Sequence, residues 1–166
     1  MYRIGDTVLY GTDGVCEITD IVSRQFNGTA RQFYVLKPIY RKNAVLYLPT
    51  DNDKTMEKLR YVLTRDEILA AIRRMPELEC IWIEHHNDRK DEYQSILRSG
   101  DATRMVQLIK TLYERRQILL DSGKKLRAAD ETCLKDAERL LYEEFSYVLE
   151  IPCSEVIPFI RKELGQ

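Results

Sequence analysis

Near residue 55 the hydrophobic pattern of this chain changes period, so its two parts must build different kinds of core. Before that point apolar residues alternate as they do in half-buried strands. Thr7-Val8-Leu9-Tyr10 is followed by Gly11-Thr12-Asp13-Gly14, whose glycines supply the positive φ of a tight turn, and then by residues 15–22, rich in β-branched side chains. Asn27-Gly28 separates that run from Arg31-Gln32-Phe33-Tyr34-Val35-Leu36, and Asn-Gly between two strand candidates predicts a two-residue primed hairpin turn. Pro38 cannot donate to a ladder and ends the third strand. Val45-Leu46-Tyr47-Leu48-Pro49 reads as one more short strand stopped by a proline. Four or five short antiparallel strands predict a small SH3-like or Tudor-like β-barrel over residues 1–55.

From residue 56 to 166 the apolar spacing is helical, and Leu, Glu, Lys, Arg and Ala dominate, so an all-α bundle is expected and the fold class is α+β. Thr64-Arg65-Asp66-Glu67 fits a capping box ahead of a first helix. A second helix is expected over residues 81–97, stopping at Ser99-Gly100, and Asp101 caps a third that buries Met105, Leu108, Ile109 and Leu112 before Asp121-Ser122-Gly123. The fourth begins near Ala129-Asp130, buries Leu134, Ala137, Leu140, Leu141, Phe145 and Val148, and ends before Pro152. A fifth over residues 154–164 turns Val156, Ile157 and Ile160 inward.

With 44% hydrophobic and 32% charged residues, the chain can bury a core in each part. No apolar run approaches the roughly 20 residues of a membrane span. The opening residues lack the apolar centre of a signal peptide, so a cytoplasmic location with no membrane partner is expected. Residues 1–60 carry nine basic and seven acidic groups and the remainder seventeen and twenty, which excludes coating nucleic acid by bulk charge. Any DNA contact must be local. Cys16, Cys80, Cys133 and Cys153 form no Cys-x-x-Cys pair and read as reduced, mostly buried thiols.

No catalytic constellation stands out, and no cofactor or metal is expected. His85 and His86 are adjacent, about 100° apart on a helix, and so lack the i, i+4 spacing that grips zinc. Gly11, Gly14 and Gly28 are isolated turn formers without a phosphate-loop pattern. Trp82, in the polar stretch Ile81-Trp82-Ile83-Glu84-His85-His86-Asn87-Asp88-Arg89-Lys90, has two readings. It packs into the helical core, or it wedges against an unstacked base pair while Arg89 and Lys90 hold flanking phosphates. Arg73-Arg74 and Lys124-Lys125-Leu126-Arg127 are further basic clusters that read equally as solvated faces.

Several strings resemble the CarD/CdnL family of RNA polymerase-binding transcription regulators, whose N-terminal module is shared with transcription-repair coupling factor. They are Ile4-Gly5-Asp6-Thr7-Val8-Leu9-Tyr10 with Gly14-Val15, then Phe33-Tyr34-Val35-Leu36-Lys37-Pro38, Leu48-Pro49, and Leu97-Arg98-Ser99-Gly100-Asp101. The resemblance implies a non-enzymatic regulator whose barrel binds the RNA polymerase β subunit through an exposed strand edge and nearby basic side chains. Arg24 falls at one basic position and Tyr47 at another, followed by Leu48 and Pro49. It also implies a helical domain that contacts promoter DNA at the upstream edge of the transcription bubble and alters open-complex stability. Aligning on Ser99-Gly100-Asp101 puts His86 at the wedge position, with Trp82 one helical turn earlier, Arg89 at a backbone-contacting position and Lys90 beside it. Nothing requires more than a monomer. An adaptor that binds polymerase without touching DNA is the alternative, and a small hydrolase using His85, His86 and nearby carboxylates is a further one.

Overall fold

Asn27 and Gly28 both take positive φ, 50° and 81°, as a primed two-residue turn requires, and they join the two longest strands of the protein. The computed structural model describes residues 1–166 and divides into two units, Met1–Val62 and Leu63–Gln166. In the first unit, strands β1 (Thr7–Tyr10), β2 (Gly14–Phe26), β3 (Thr29–Pro38), β4 (Leu46–Pro49) and β5 (Leu59–Tyr61) form an antiparallel sheet in the order β4-β3-β2-β1-β5. Pro38 and Pro49 close β3 and β4, as expected of residues without an N–H. The register of β2 against β3 slips between Ile18 and Asp20, a bulge that increases the local twist.

One face of this sheet carries a core of Val8, Cys16, Ile18, Tyr34, Leu36, Leu48 and Leu59, with at least one side chain from every strand. Tyr2 meets Tyr34 of β3 edge-on at 5.9 Å and Tyr61 of β5 at 4.9 Å, and its hydroxyl donates to the Leu59 carbonyl at 2.9 Å. Three strand spacings of about 4.8 Å separate β3 from β5 in a flat sheet. One ring touching both shows that the sheet curls, as a Tudor-like module does.

The boundary expected at residue 55 falls after Val62 instead. A short helix α1 (Asp53–Met56), capped by Asn52, brings the chain back so that β5 pairs with β1 through Val8↔Tyr61, Leu9↔Arg60 and Tyr10↔Leu59. Three residues give too little alternation to be read as a strand, yet they supply the last ladder.

The second unit contains α2 (Arg65–Arg74), α3 (His86–Ser99), α4 (Ala102–Asp121), α5 (Ala128–Leu149) and α6 (Val156–Glu163). Thr64 makes the expected capping box, its hydroxyl accepting from the Glu67 N–H at 3.2 Å while the Glu67 carboxylate accepts from the Thr64 N–H at 2.7 Å. Thr64→Ala is expected to cost about 1 kcal/mol of unfolding free energy, readable by chemical denaturation, with no loss of fold. Gly100 provides the left-handed end of α3 at φ 69°, and Asp101 caps α4 by accepting from the Arg104 N–H at 3.1 Å.

The core of this unit lies among α3, α4 and α5, closed by Ile68 and Ile72 of α2 and Val156 of α6. Met105, Leu108, Ile109 and Leu112 are buried along α4, and Leu134, Ala137, Leu140, Leu141 and Phe145 along α5. Val148 is half-buried, and Ile157, expected inward, is 39% exposed because the short α6 turns only Val156 fully into the core. No helix is long and apolar enough to cross a membrane. Cys16 and Cys133 are buried, and desolvation pushes both thiols up to about 12. Cys80 and Cys153 are exposed, against the expectation of mostly buried thiols.

Candidate functional site

The edge of the sheet at β4 is open. Antiparallel neighbours alternate between pairs that exchange hydrogen bonds and pairs that do not. The Thr50 N–H donates to the Gln32 carbonyl at 3.1 Å, which fixes Leu48↔Tyr34 and Leu46↔Leu36 as exchanging pairs. Tyr47, opposite Val35, therefore turns its N–H and carbonyl outward, as Pro49 does its carbonyl. The Tyr47 side chain is 46% exposed and the Arg24 guanidinium lies over its ring, 4.3 Å from the centroid. Two of the residues assigned to polymerase contact thus form one cationic and aromatic feature, a stacking worth about 0.5–1 kcal/mol at an exposed site. Leu48 is placed differently. Its side chain is 3% exposed and belongs to the core, so it supports the edge from behind.

In the helical unit the segment expected to begin a helix at residue 81 does not. Helix α3 starts at His86 with His85 as an uncapped N-cap, and residues 79–85 run as a strap held by side chains of α3 and α4. The Ile81 N–H donates to the Thr111 hydroxyl at 2.8 Å, and the Tyr93 hydroxyl donates to the Ile81 carbonyl at 2.9 Å. Burial raises Tyr93 to about 12, so it remains the donor at any ordinary pH. Just ahead of the strap Lys110 Nζ donates to the Leu78 carbonyl at 2.6 Å and the Pro76 carbonyl at 3.2 Å, and at its first residue the Glu79 carbonyl accepts from Gln107 at 3.4 Å. These bonds replace the helical ladder the strap lacks.

Arg89, expected at a phosphate, is buried at 3% exposure. Its Nε and Nη2 donate to the two Asp130 oxygens at 3.0 and 2.9 Å, and Nη1 to the Ile83 and Glu84 carbonyls at 2.8 and 3.2 Å. Four of its five N–H donors are so committed, and burial keeps the guanidinium away from DNA. The correction has a sequence signal: Arg89 lies four residues before Tyr93 and seven before Ile96, on the buried stripe of α3, and Asp130 occupies the same stripe of α5 as Leu134, Ala137 and Leu141.

Trp82 is half-buried against the helical core, with the Arg89 and Arg115 guanidiniums 4.2 and 4.7 Å from its ring centroid. It stands on the strap rather than on α3, so the one-turn relation to His86 does not hold. His86 and Lys90 are exposed one turn apart at the start of α3, and His86 stacks on His85 at 5.4 Å. The two rings face Asp88 through His85, at 3.4 Å. No three His, Cys, Asp or Glu side chains converge as metal ligands. A crevice of about 560 Å³ runs beside His86 and Lys90 between α3 and the start of α5, where Arg127 and Thr132 form the other wall.

An N-terminal curled sheet with an open edge, followed by a helical unit, matches known families along nearly its whole length. Residues 2–60 match the CarD-like/TRCF RID domain, and residues 70–160 match the CarD C-terminal domain. With one match on each of the two separate units, the chain belongs to the CarD-like family of RNA polymerase-interacting transcription regulators.

Proposed function

We propose that this regulator docks as a monomer on the RNA polymerase β subunit through the open edge of β4, and that its helical unit touches promoter DNA at the upstream edge of the transcription bubble, altering open-complex lifetime. The observation that carries the docking half is the Arg24–Tyr47 stack on that edge. There a partner strand finds free backbone groups and an acidic side chain finds a cation. The DNA half rests on His86 and Lys90, both exposed and one turn apart at the start of α3, with Arg127 across the crevice. His86 is the accessible ring at the wedge position, and of the two residues expected to hold phosphates, Arg89 and Lys90, Lys90 is the exposed one. The near-balanced charge of the chain restricts this contact to DNA already held by polymerase.

A second reading, an adaptor that binds polymerase without touching DNA, is favoured by one observation: the Trp82 ring is half-buried with two guanidiniums lying against it.

Binding of the protein to purified β subunit tests the docking half. Arg24→Glu combined with Tyr47→Ala alters two exposed side chains and leaves the fold intact. It is expected to weaken binding at least about tenfold, or about 1.4 kcal/mol. Equal affinity of the double variant and the wild type would remove the β4 edge from the proposal.

A further inference from the structure

Beside Trp82 lies a second crevice, of about 200 Å³, walled by Trp82, Glu84, Arg89, Arg115, Lys125 and Arg127, with Asp130 at its base. Arg89 and Asp130 neutralise each other. The remaining charged walls are Arg115, Lys125 and Arg127 against Glu84 alone, so the crevice is cationic. Two of its wall residues also hold buried donors without an acceptor, Trp82 Nε1 and Arg115 Nε. Buried N–H groups are nearly always paired, and each exception calls for a cause. Here both exceptions fall on neighbouring side chains, stacked 4.7 Å apart, in the wall of one cationic crevice.

We propose that this crevice binds a phosphate group, with Lys125 and Arg127 supplying charge at its mouth and Arg115 and the Trp82 indole supplying N–H donors. A tetrahedral oxyanion offers several acceptor oxygens at once, which matches two orphaned donors that point from different side chains. A water molecule occupies about 30 Å³ of the liquid, so a crevice of about 200 Å³ accommodates such an ion with part of its hydration. Trp82 and Arg115 are half-buried rather than locked in the core, and a rotation of either brings its N–H to the ligand. The run Lys124-Lys125-Leu126-Arg127 takes its role from this arrangement. Leu126 is buried at 7% exposure and anchors the run, while Lys125 and Arg127 stay exposed on either side. The group comes either from the DNA backbone or from a free phosphate-bearing molecule, and the chemistry of the site is the same for both.

Trp82 is the only tryptophan, so the full-length ¹⁵N-labelled protein shows one indole N–H resonance, which reports on this site. Titration with inorganic phosphate and then pyrophosphate, at ionic strength held constant with chloride, is expected to displace that resonance saturably. Lys125→Gln with Arg127→Gln changes two exposed side chains and is expected to weaken the response at least about tenfold, since it removes two charge-assisted contacts. A short DNA duplex that competes with pyrophosphate identifies the group as a backbone phosphate. A duplex that does not compete identifies a free phosphate-bearing ligand. A resonance unmoved by phosphate, pyrophosphate and duplex alike overturns the site, as does an equal displacement in the double variant, which marks adventitious salt binding. Polymerase is absent from the experiment, so its failure leaves the docking proposal standing.

Discussion

Replacing Arg89 with alanine is expected to destabilise the helical unit by about 3–5 kcal/mol, the cost of breaking a buried ion pair from one side. The reason is what stays behind. Asp130 is 6% exposed and would keep a carboxylate in the core without either of its two donors, and the Ile83 carbonyl would lose its 2.8 Å partner. The strap that carries Trp82 would then be released at its C-terminal end. Thermal unfolding should show a fall in Tm of more than about 10 °C. A buried pair is not in itself a large source of stability, so Arg89→Met with Asp130→Leu is expected to recover much of the loss. The double-mutant cycle would then give a coupling of opposite sign to the single costs. An Arg89→Ala protein as stable as the wild type would mean that Arg89 is solvent-facing and free for DNA after all. Loss of function in this variant would report a damaged strap, not a missing phosphate contact.

Phe145→Ala is expected to cost a similar about 3–5 kcal/mol, for a different reason. Phe145 is fully buried near the middle of the core shared by α3, α4 and α5, and truncation there removes apolar contact and leaves a cavity that rigid helices fill only in part. Denaturant unfolding followed by far-ultraviolet circular dichroism measures it. The control is Ile118→Ala on α4, where the side chain is 47% exposed and the expected change is within about 0.5 kcal/mol. Equal effects at the two positions would place the core of this unit elsewhere.

Where local chemistry decides the backbone, the sequence was readable. Asn27-Gly28 sets a primed turn by its own φ preferences, Thr64 and Glu67 cap each other across three residues, and Gly100 ends α3 by accepting a left-handed conformation. The apolar stripes of α4 and α5 likewise follow from 3.6-residue spacing. What was not readable depends on distant partners. Strand β5 exists because β1 has an unpaired edge, and three residues of its own carry no alternation. The strap over residues 79–85 exists because Thr111, Gln107, Tyr93 and Arg89 reach it from up to 30 residues away.

The candidate site shows the same division. Arg24 and Tyr47 lie on different strands, and only the sheet order brings the guanidinium over the ring. Arg89 and Lys90 look equivalent as neighbours in a basic pair, yet helical geometry sends one to Asp130 in the core and the other to solvent. Stripe position was the available signal, and it outweighs residue type when a charge of opposite sign occupies the matching stripe of another helix.

The central claim is that docking by one unit lets the other act on DNA. The lifetime of a promoter open complex, formed with the cognate RNA polymerase in the presence and absence of this protein, tests it most directly. The protein is expected to change that lifetime. Arg24→Glu with Tyr47→Ala should abolish the effect by preventing docking, and His86→Ala with Lys90→Glu should abolish it while polymerase binding persists. A lifetime unaffected by the bound wild-type protein, or an effect that survives the His86 and Lys90 substitutions, would contradict the account and leave a polymerase adaptor without DNA contact through α3.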